Sequence, residues 1–306
     1  MGIWDDIASR YRRGTALTRL IYINVGLFLV LRLAALVGVL LGVPAASLVK
    51  WVEVPSGAVE LLHQPWTVVT YMFFHYDILH ILFNMLWLYW LGKIFLEYFN
   101  SKQLVGLYLL GGLGGVALYL AAYATLPYFA HQQAYLIGAS ASILAIVVAI
   151  AVYAPDYRIG LLFIGDISLK WIAIITVVIV LLGTGDSNVG AQAAHLGGML
   201  VGVAYGMAMR RGHDITAWLN ACIDAIASLF KRKPGVGRPT GGTAYHYQEN
   251  KERTAGNAAT HEADGAPTEA EIDVILDKLK RSGYGALSEK EKETLFRASS
   301  HYKAKD

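Results

Sequence analysis

The sequence predicts an all-α polytopic membrane protein, a bundle of six transmembrane helices with a polar tail, and three observations predict it. Charged residues make up 16% of the 306 and hydrophobic residues 55%, whereas soluble domains carry about 25% charge. Six stretches are apolar enough, or nearly so, to cross a bilayer core, which takes about 20 residues of helix. Lys and Arg gather in alternate connections between those stretches, the pattern that sets the orientation of membrane proteins.

The elements follow in order. Residues 1–19 form a basic, partly amphipathic leader, and the apolar run behind it is too long for a signal-peptide core. That run, Leu20 to Leu41 with Arg32 inside it, is the first span. The second runs from Ile78 to Phe99, the third from Leu104 to Leu126 and the fourth from Ala139 to Ala154. The fifth runs from Leu169 to Leu182 and the sixth from Ala191 to Met209. The fourth and fifth are short, which is tolerable where a helix end is buried in protein rather than lipid. The membrane domain therefore covers residues 20–212. Residues 213–233 read as an amphipathic helix on the cytoplasmic interface, with Trp218, Leu219, Ile223 and Ile226 on its apolar side. Residues 234–267, rich in Gly, Thr, Ala and Pro, read as a disordered linker. Residues 268–306 read as a small helical cytoplasmic module. Thr268 to Glu271 has a capping-box pattern, Ile272, Ile275, Leu276 and Leu279 make an apolar face, and Gly283 and Gly285 break the helix before a second one starts at Ser288.

Orientation follows from the positive charges. Arg10, Arg12, Arg13 and Arg19 precede the first span, Lys93 and Lys102 lie about the second connection, and Arg158 and Lys170 about the fourth. Arg210, Arg211, Lys231, Arg232 and Lys233 follow the sixth span, while the opposite loops carry Lys50 alone. Both termini are expected in the cytoplasm, and the pattern fits a bacterial inner membrane. A net charge of +3 is too small to argue for nucleic acid. Cys222 is the single cysteine, so no internal disulfide can form. No His, Cys or carboxylate set has the spacing of a metal site, and no cofactor is expected.

Polar groups inside spans are costly and usually kept for a purpose. In the expected topology the second, fourth and sixth spans all run inward from the outer face. His80 and Asn84 lie near the start of the second, Ser140 at the start of the fourth, and His195 near the start of the sixth, so the four share one depth. His80 and Asn84, four residues apart, share a helix face. Read structurally, they are an interhelical hydrogen-bonding pair, Ser140 is a helix cap in a small-residue seam and His195 is a packing histidine. Read functionally, a serine and a histidine are a nucleophile and its base. Ser142 is a rival nucleophile. Ala141, Ala145 and Ala149 make a small-residue stripe beside the serine, and Gly198, Gly202 and Gly206 make one on the histidine's face. These stripes suit close approach of two helices. Asp166 and Glu97 read as structural acids near span ends, capping a helix, anchoring a loop or pairing with Lys170 and Lys102. His63 and His131 read as surface histidines.

The full pattern resembles the rhomboid family of intramembrane serine proteases, over roughly residues 60–212. The matching pieces are Pro65-Trp66, the run His75 to Met85 with His80 and Asn84, the glycine-rich Tyr108 to Gly115, Gly138-Ala139-Ser140-Ala141, and Ala194-His195-Leu196-Gly197-Gly198. The resemblance implies a six-helix rhomboid-like bundle. It implies Ser140 as nucleophile and His195 as general base, with Asn84, His80 and the Ser140 N–H stabilising the oxyanion. The outer loop with Gly183, Gly185, Asp186 and Ser187 would be a movable cap, and the substrate would be a transmembrane helix of another protein, cut where it unwinds. Three positions depart from many family members: Ala141 replaces a glycine, Leu144 replaces an aromatic that stacks on the catalytic histidine, and Trp66-Thr67 replaces Trp-Arg. None of these removes a catalytic group. Besides the bilayer and substrate helices, residues 268–306 suggest a docking piece for a cytoplasmic partner. The alternatives are a non-catalytic membrane adaptor that grips client helices, and a small transporter with a midplane polar site.

Overall fold

The computed structural model describes residues 2–161, 165–182, 189–230, 269–282 and 287–295. The chain divides into two compact units, residues 1–235 and 236–306. The first unit is mainly helical: α1 (Ile3–Arg13), α2 (Ala16–Leu40), short helices α3 (Ala45–Val49), α4 (Ala58–His63) and α5 (Thr67–Thr70), then α6 (Ile78–Tyr98), α7 (Ser101–Thr125), α8 (Ser140–Tyr153), α9 (Leu169–Leu182), α10 (Val189–Arg210) and α11 (Ala217–Phe230). By length and composition α2, α6 and α7 can each cross a membrane. Helices α8 and α9 have 14 residues each, about 21 Å at 1.5 Å per residue, so neither reaches across a ~30 Å hydrocarbon core by itself.

The helix starts follow from capping. Asp77 accepts from the His80 N–H at 2.8 Å and so opens α6. Asn100 and Gln103 make a reciprocal capping box that opens α7. The short α8 is apolar on every side, and every residue from Ala141 to Ala151 is buried, as expected of a helix with no polar face. It is the axis of the domain, with α6, α7, α9 and α10 packed around it.

Helix α10 meets α8 and α7 backbone to backbone. A Cβ placed on Gly198 would strike the Ala141 carbonyl oxygen, one on Gly202 would lie 2.5 Å from the Ala145 oxygen, and one on Gly206 would lie 2.7 Å from the Ala149 oxygen. The two stripes seen in the sequence thus interlock in register, residue for residue. On the other side, Gly197 leaves no room for a Cβ against Gly114. A polar tie joins α2 and α7. Asn24 donates to Leu20 O at 2.8 Å and to the Tyr108 hydroxyl at 3.2 Å, and Tyr108 donates to Met72 O at 2.6 Å. Each of these buried donors has an acceptor, so the tie adds specificity without an orphaned group.

Several expectations need correction. The fold is mostly helical, with β elements that the sequence did not predict. Two short antiparallel ladders are present, β1 (Val54–Pro55) with β2 (Tyr135–Leu136), and β3 (Arg158–Leu161) with β4 (Gly165–Ser168). Connecting segments that lie close together satisfy their backbone groups on each other, and hydropathy gives no sign of that. Asp166 therefore sits on a hairpin strand, and Lys170 pairs with Asp156 at 2.7 Å instead. Likewise Lys102 reaches Asp224 on α11 at 2.6 Å, not Glu97. Both pairs are exposed and add little stability. The amphipathic helix starts at Ala217, not 213, because Asp214 accepts from both the N–H and the hydroxyl of Thr216 and turns the chain first. Residues 231–233, the linker 234–267 and the loop 183–188, with its expected cap residues Gly183, Gly185, Asp186 and Ser187, lie outside the described residues.

In the second unit, α12 (Glu269–Ser282) precedes a helical stretch at 289–295. Ile275 and Leu287 are buried. Lys278 bridges both carboxylate oxygens of Glu291, at 2.8 and 2.9 Å, and Glu291 also accepts from the Ser288 N–H at 2.7 Å. That last contact is half of a capping box, completed by the Glu291 N–H on the Ser288 hydroxyl at 3.4 Å.

Candidate active site

Ser140 is the first residue of α8, and His195 lies in the second turn of α10. The close approach described above brings them together: Ser140 Oγ is 2.7 Å from His195 Nε2. For the hydroxyl to donate, Nε2 must be the bare nitrogen and Nδ1 must carry the proton. His195 Nδ1 is buried and has no hydrogen-bond partner among the described residues. No carboxylate among the described residues bonds to the ring, and the surrounding helices hold it. Ser142 is fully buried, with its hydroxyl 3.9 Å from the Met72 sulfur, so it is not a competing nucleophile.

A cavity of about 760 Å³ opens beside this pair, and His80 and Asn84 line it together with Ser140 and His195. All four residues singled out in the sequence therefore share one recess. Asn84 uses one amide N–H on His80 O at 3.0 Å, which leaves a second N–H on the same nitrogen. The Ser140 N–H, in the first turn of a helix, has no intrahelical partner. These are donors of the kind that a developing oxyanion needs. The recess continues along α6 past Phe83 and Trp87 and along α9 past Thr176 and Val180. Leu144 forms part of its wall.

The backbone that delivers Ser140 is held by residues whose importance the sequence did not announce. The Gly138 N–H donates to Tyr71 O at 3.0 Å, and the Tyr71 hydroxyl donates to Gly112 O at 2.7 Å. Gly138 has φ +126°, and a Cβ there would lie 2.7 Å from the His80 ring. Glycine is thus required twice, for conformation and for space. His75 lies three residues before α6, at its mouth, and is not left open there. Instead it is fully buried, accepting from the Ala139 N–H at 3.4 Å and standing edge-on to His80 at 5.0 Å between ring centroids. Tyr71 gave no signal in the sequence because a tyrosine in an apolar loop has no distinctive spacing. Thr67, where an arginine was noted as missing, is buried and donates to Gln64 O at 2.7 Å. Trp66 stacks on Trp51 at 6.0 Å.

Burial, with the neighbouring His80 as the next cause, pushes the His75 imidazole down to about 3. A histidine neutral in the fold and free to charge when unfolded, near pH 6.5, favours the unfolded chain once the pH drops below that value. Stability supplied by His75 is thus complete above about pH 6.5 and is lost progressively toward pH 3. The thermal midpoint in detergent is expected to fall between pH 7 and pH 5, and a His75→Asn variant, although less stable at pH 7, should show a shallower fall. Equal slopes would reject this assignment.

The rhomboid domain family matches residues 62–212. This region belongs to the rhomboid family. A relative, the mitochondrial RHOMBOID-like protein 12 of Arabidopsis thaliana, is 31% identical over 158 residues, 48% of this chain and 47% of the relative. The chain thus spans about half the length of that curated relative. Residues 263–301 match a separate family of unknown function, DUF6576. The rhomboid domain, with its apolar helices, makes this a membrane protein, and all four polar residues described above fall within the matched segment.

Proposed function

We propose that the protein is an intramembrane serine endopeptidase that cuts transmembrane helices of other membrane proteins. The observation that carries this reading is the 2.7 Å contact between Ser140 Oγ and His195 Nε2 in a cavity also lined by His80 and Asn84. A serine hydroxyl is a weak nucleophile until a base accepts its proton. His195 takes that proton as Ser140 attacks the scissile carbonyl, then returns it to the leaving amine. Asn84, His80 and the Ser140 N–H hold the negative oxygen of the tetrahedral intermediate. Water then attacks the acyl-enzyme by the same route in reverse.

The recess is walled by α6 on one side and α9 on the other, so a substrate helix would enter between them. Its scissile segment must unwind, because a helical carbonyl already accepts a hydrogen bond, and segments with Gly, Pro or small residues should be preferred. The positive charges support six crossings with both termini cytoplasmic, the site toward the outer face, and residence in a bacterial inner membrane. Residues 183–188 would cap the site. The C-terminal module would dock a cytoplasmic partner.

The test is labelling of the purified full-length protein in detergent by a fluorophosphonate probe, with the adduct located by mass spectrometry. The adduct should fall on Ser140, and Ser140→Ala should neither label nor cleave a single-span model substrate. Cleavage that is the same in wild type and Ser140→Ala would reject the enzyme. Binding of the substrate helix without cleavage would indicate an adaptor.

A further inference from the structure

Among the described residues, Glu53 alone of the acids is buried in the core, 2% exposed and in no ion pair. One of its carboxylate oxygens has no hydrogen-bond partner. The Tyr76 hydroxyl and the Lys50 ammonium both lie near enough to favour the charged carboxylate against its burial. The Lys50 amine itself sits over the Tyr135 ring, 5.2 Å from its centre. The Tyr119 hydroxyl, also buried and without a well-formed hydrogen bond among the described residues, is close enough to feel the Glu53 charge.

The place of this acid in the chain is what gives it meaning. Glu53 immediately precedes β1, whose Val54 pairs with Leu136 and whose Pro55 pairs with Tyr135 on β2. Four residues beyond Leu136 is Ser140, and Tyr135, Leu136 and Ile137 all line the cavity. Tyr76 lines the same cavity and precedes Asp77, the residue that caps the helix carrying His80 and Asn84. The two segments that bring the nucleophile and the oxyanion donors to the site thus converge on one carboxylate.

We infer that Glu53 is a positioning residue for the proposed hydrolysis, tying Tyr76, at the entrance of the helix with His80 and Asn84, to the β1–β2 ladder that runs into Ser140. This rests on the reading of the site as a protease. Burial raises the pKa of the Glu53 carboxyl, with Tyr76 and then Lys50 acting in the opposite sense. An acid in such a place costs stability that an apolar residue of its size would not, which is consistent with a role other than packing.

The experiment compares full-length wild type, Glu53→Ala, Glu53→Gln and Tyr76→Phe in detergent. Glutamine keeps an oxygen that can accept from Tyr76, whereas alanine leaves none. Misplacement of reacting groups by about 1 Å costs up to about 100-fold in rate. Glu53→Ala is therefore expected to lower kcat at least about tenfold with KM little changed, and Glu53→Gln to restore most of it. The Glu53→Ala, Tyr76→Phe double variant should be no slower than the worse single variant. Amide hydrogen exchange, which needs no activity, should rise in Glu53→Ala at residues 76–80 and 134–139. Unchanged exchange there overturns the proposal whether or not the protein is a protease. Equal losses in Ala and Gln that track thermal stability also overturn it, leaving a purely structural role. Failure of the probe to label wild-type Ser140 rejects the protease instead, and the exchange measurement still decides the tie.

Discussion

Replacing His195 by alanine is expected to lower kcat roughly 10⁴-fold or more, with little change in KM. That is about 5.5 kcal/mol of transition-state stabilisation. Without an acceptor 2.7 Å away, the Ser140 proton has nowhere to go as the carbonyl is attacked. Because Nδ1 has no partner among the described residues, the ring is aimed by the helices around it. A glutamine or asparagine has no basic nitrogen to offer and should not rescue. The two groups act as a unit, so the Ser140→Ala, His195→Ala double variant should be about as inactive as either single variant. Steady-state cleavage of a single-span substrate in detergent reads this directly. Retention of activity within about tenfold of wild type would remove His195 from the chemistry.

The second large effect is expected at a contact that holds no polar side chain of its own. Gly198→Ala adds one methyl group where the Ala141 carbonyl already sits. Backbone cannot swing aside as a side chain can, so α10 must move off α8. Overpacking of this kind costs roughly 1–3 kcal/mol. The displacement would pass straight to the reacting groups, since Ala141 adjoins Ser140 and Gly198 lies three residues from His195. The folded fraction of Gly198→Ala should thus lose more activity than its drop in thermal midpoint would suggest. Gly26→Ala is the control. A Cβ at Gly26 meets nothing within 4 Å, and alanine is favoured over glycine in a helix interior by about 1 kcal/mol, so stability should hold or rise. A Gly198→Ala protein with wild-type labelling kinetics at Ser140 would show that the interface has slack.

The sequence by itself determined the course of the helices and the identity of the polar residues. Residues such as Leu169 to Leu182 were delimited correctly because a bilayer-facing or core helix must be apolar, and apolarity is a local property of composition. His80, Asn84, Ser140 and His195 stood out for the same reason, as polar side chains where polar side chains are costly. The matched stripes of Ala141, Ala145 and Ala149 against Gly198, Gly202 and Gly206 could even be foreseen as a contact, because smallness at a four-residue spacing marks a helix face. What only the tertiary structure decided was how the loops close. The pairing of Val54 with Leu136, the bond of His75 to Ala139 and the hold of Tyr71 on Gly138 join residues 64 or more positions apart. Packing likewise decided the partners of Lys102 and Lys170, which are Asp224 and Asp156 rather than Glu97 and Asp166. The local hydropathy of a segment says whether it is buried, but hydrogen bonds and charges find partners by distance in space, and that is set only when the helices have packed.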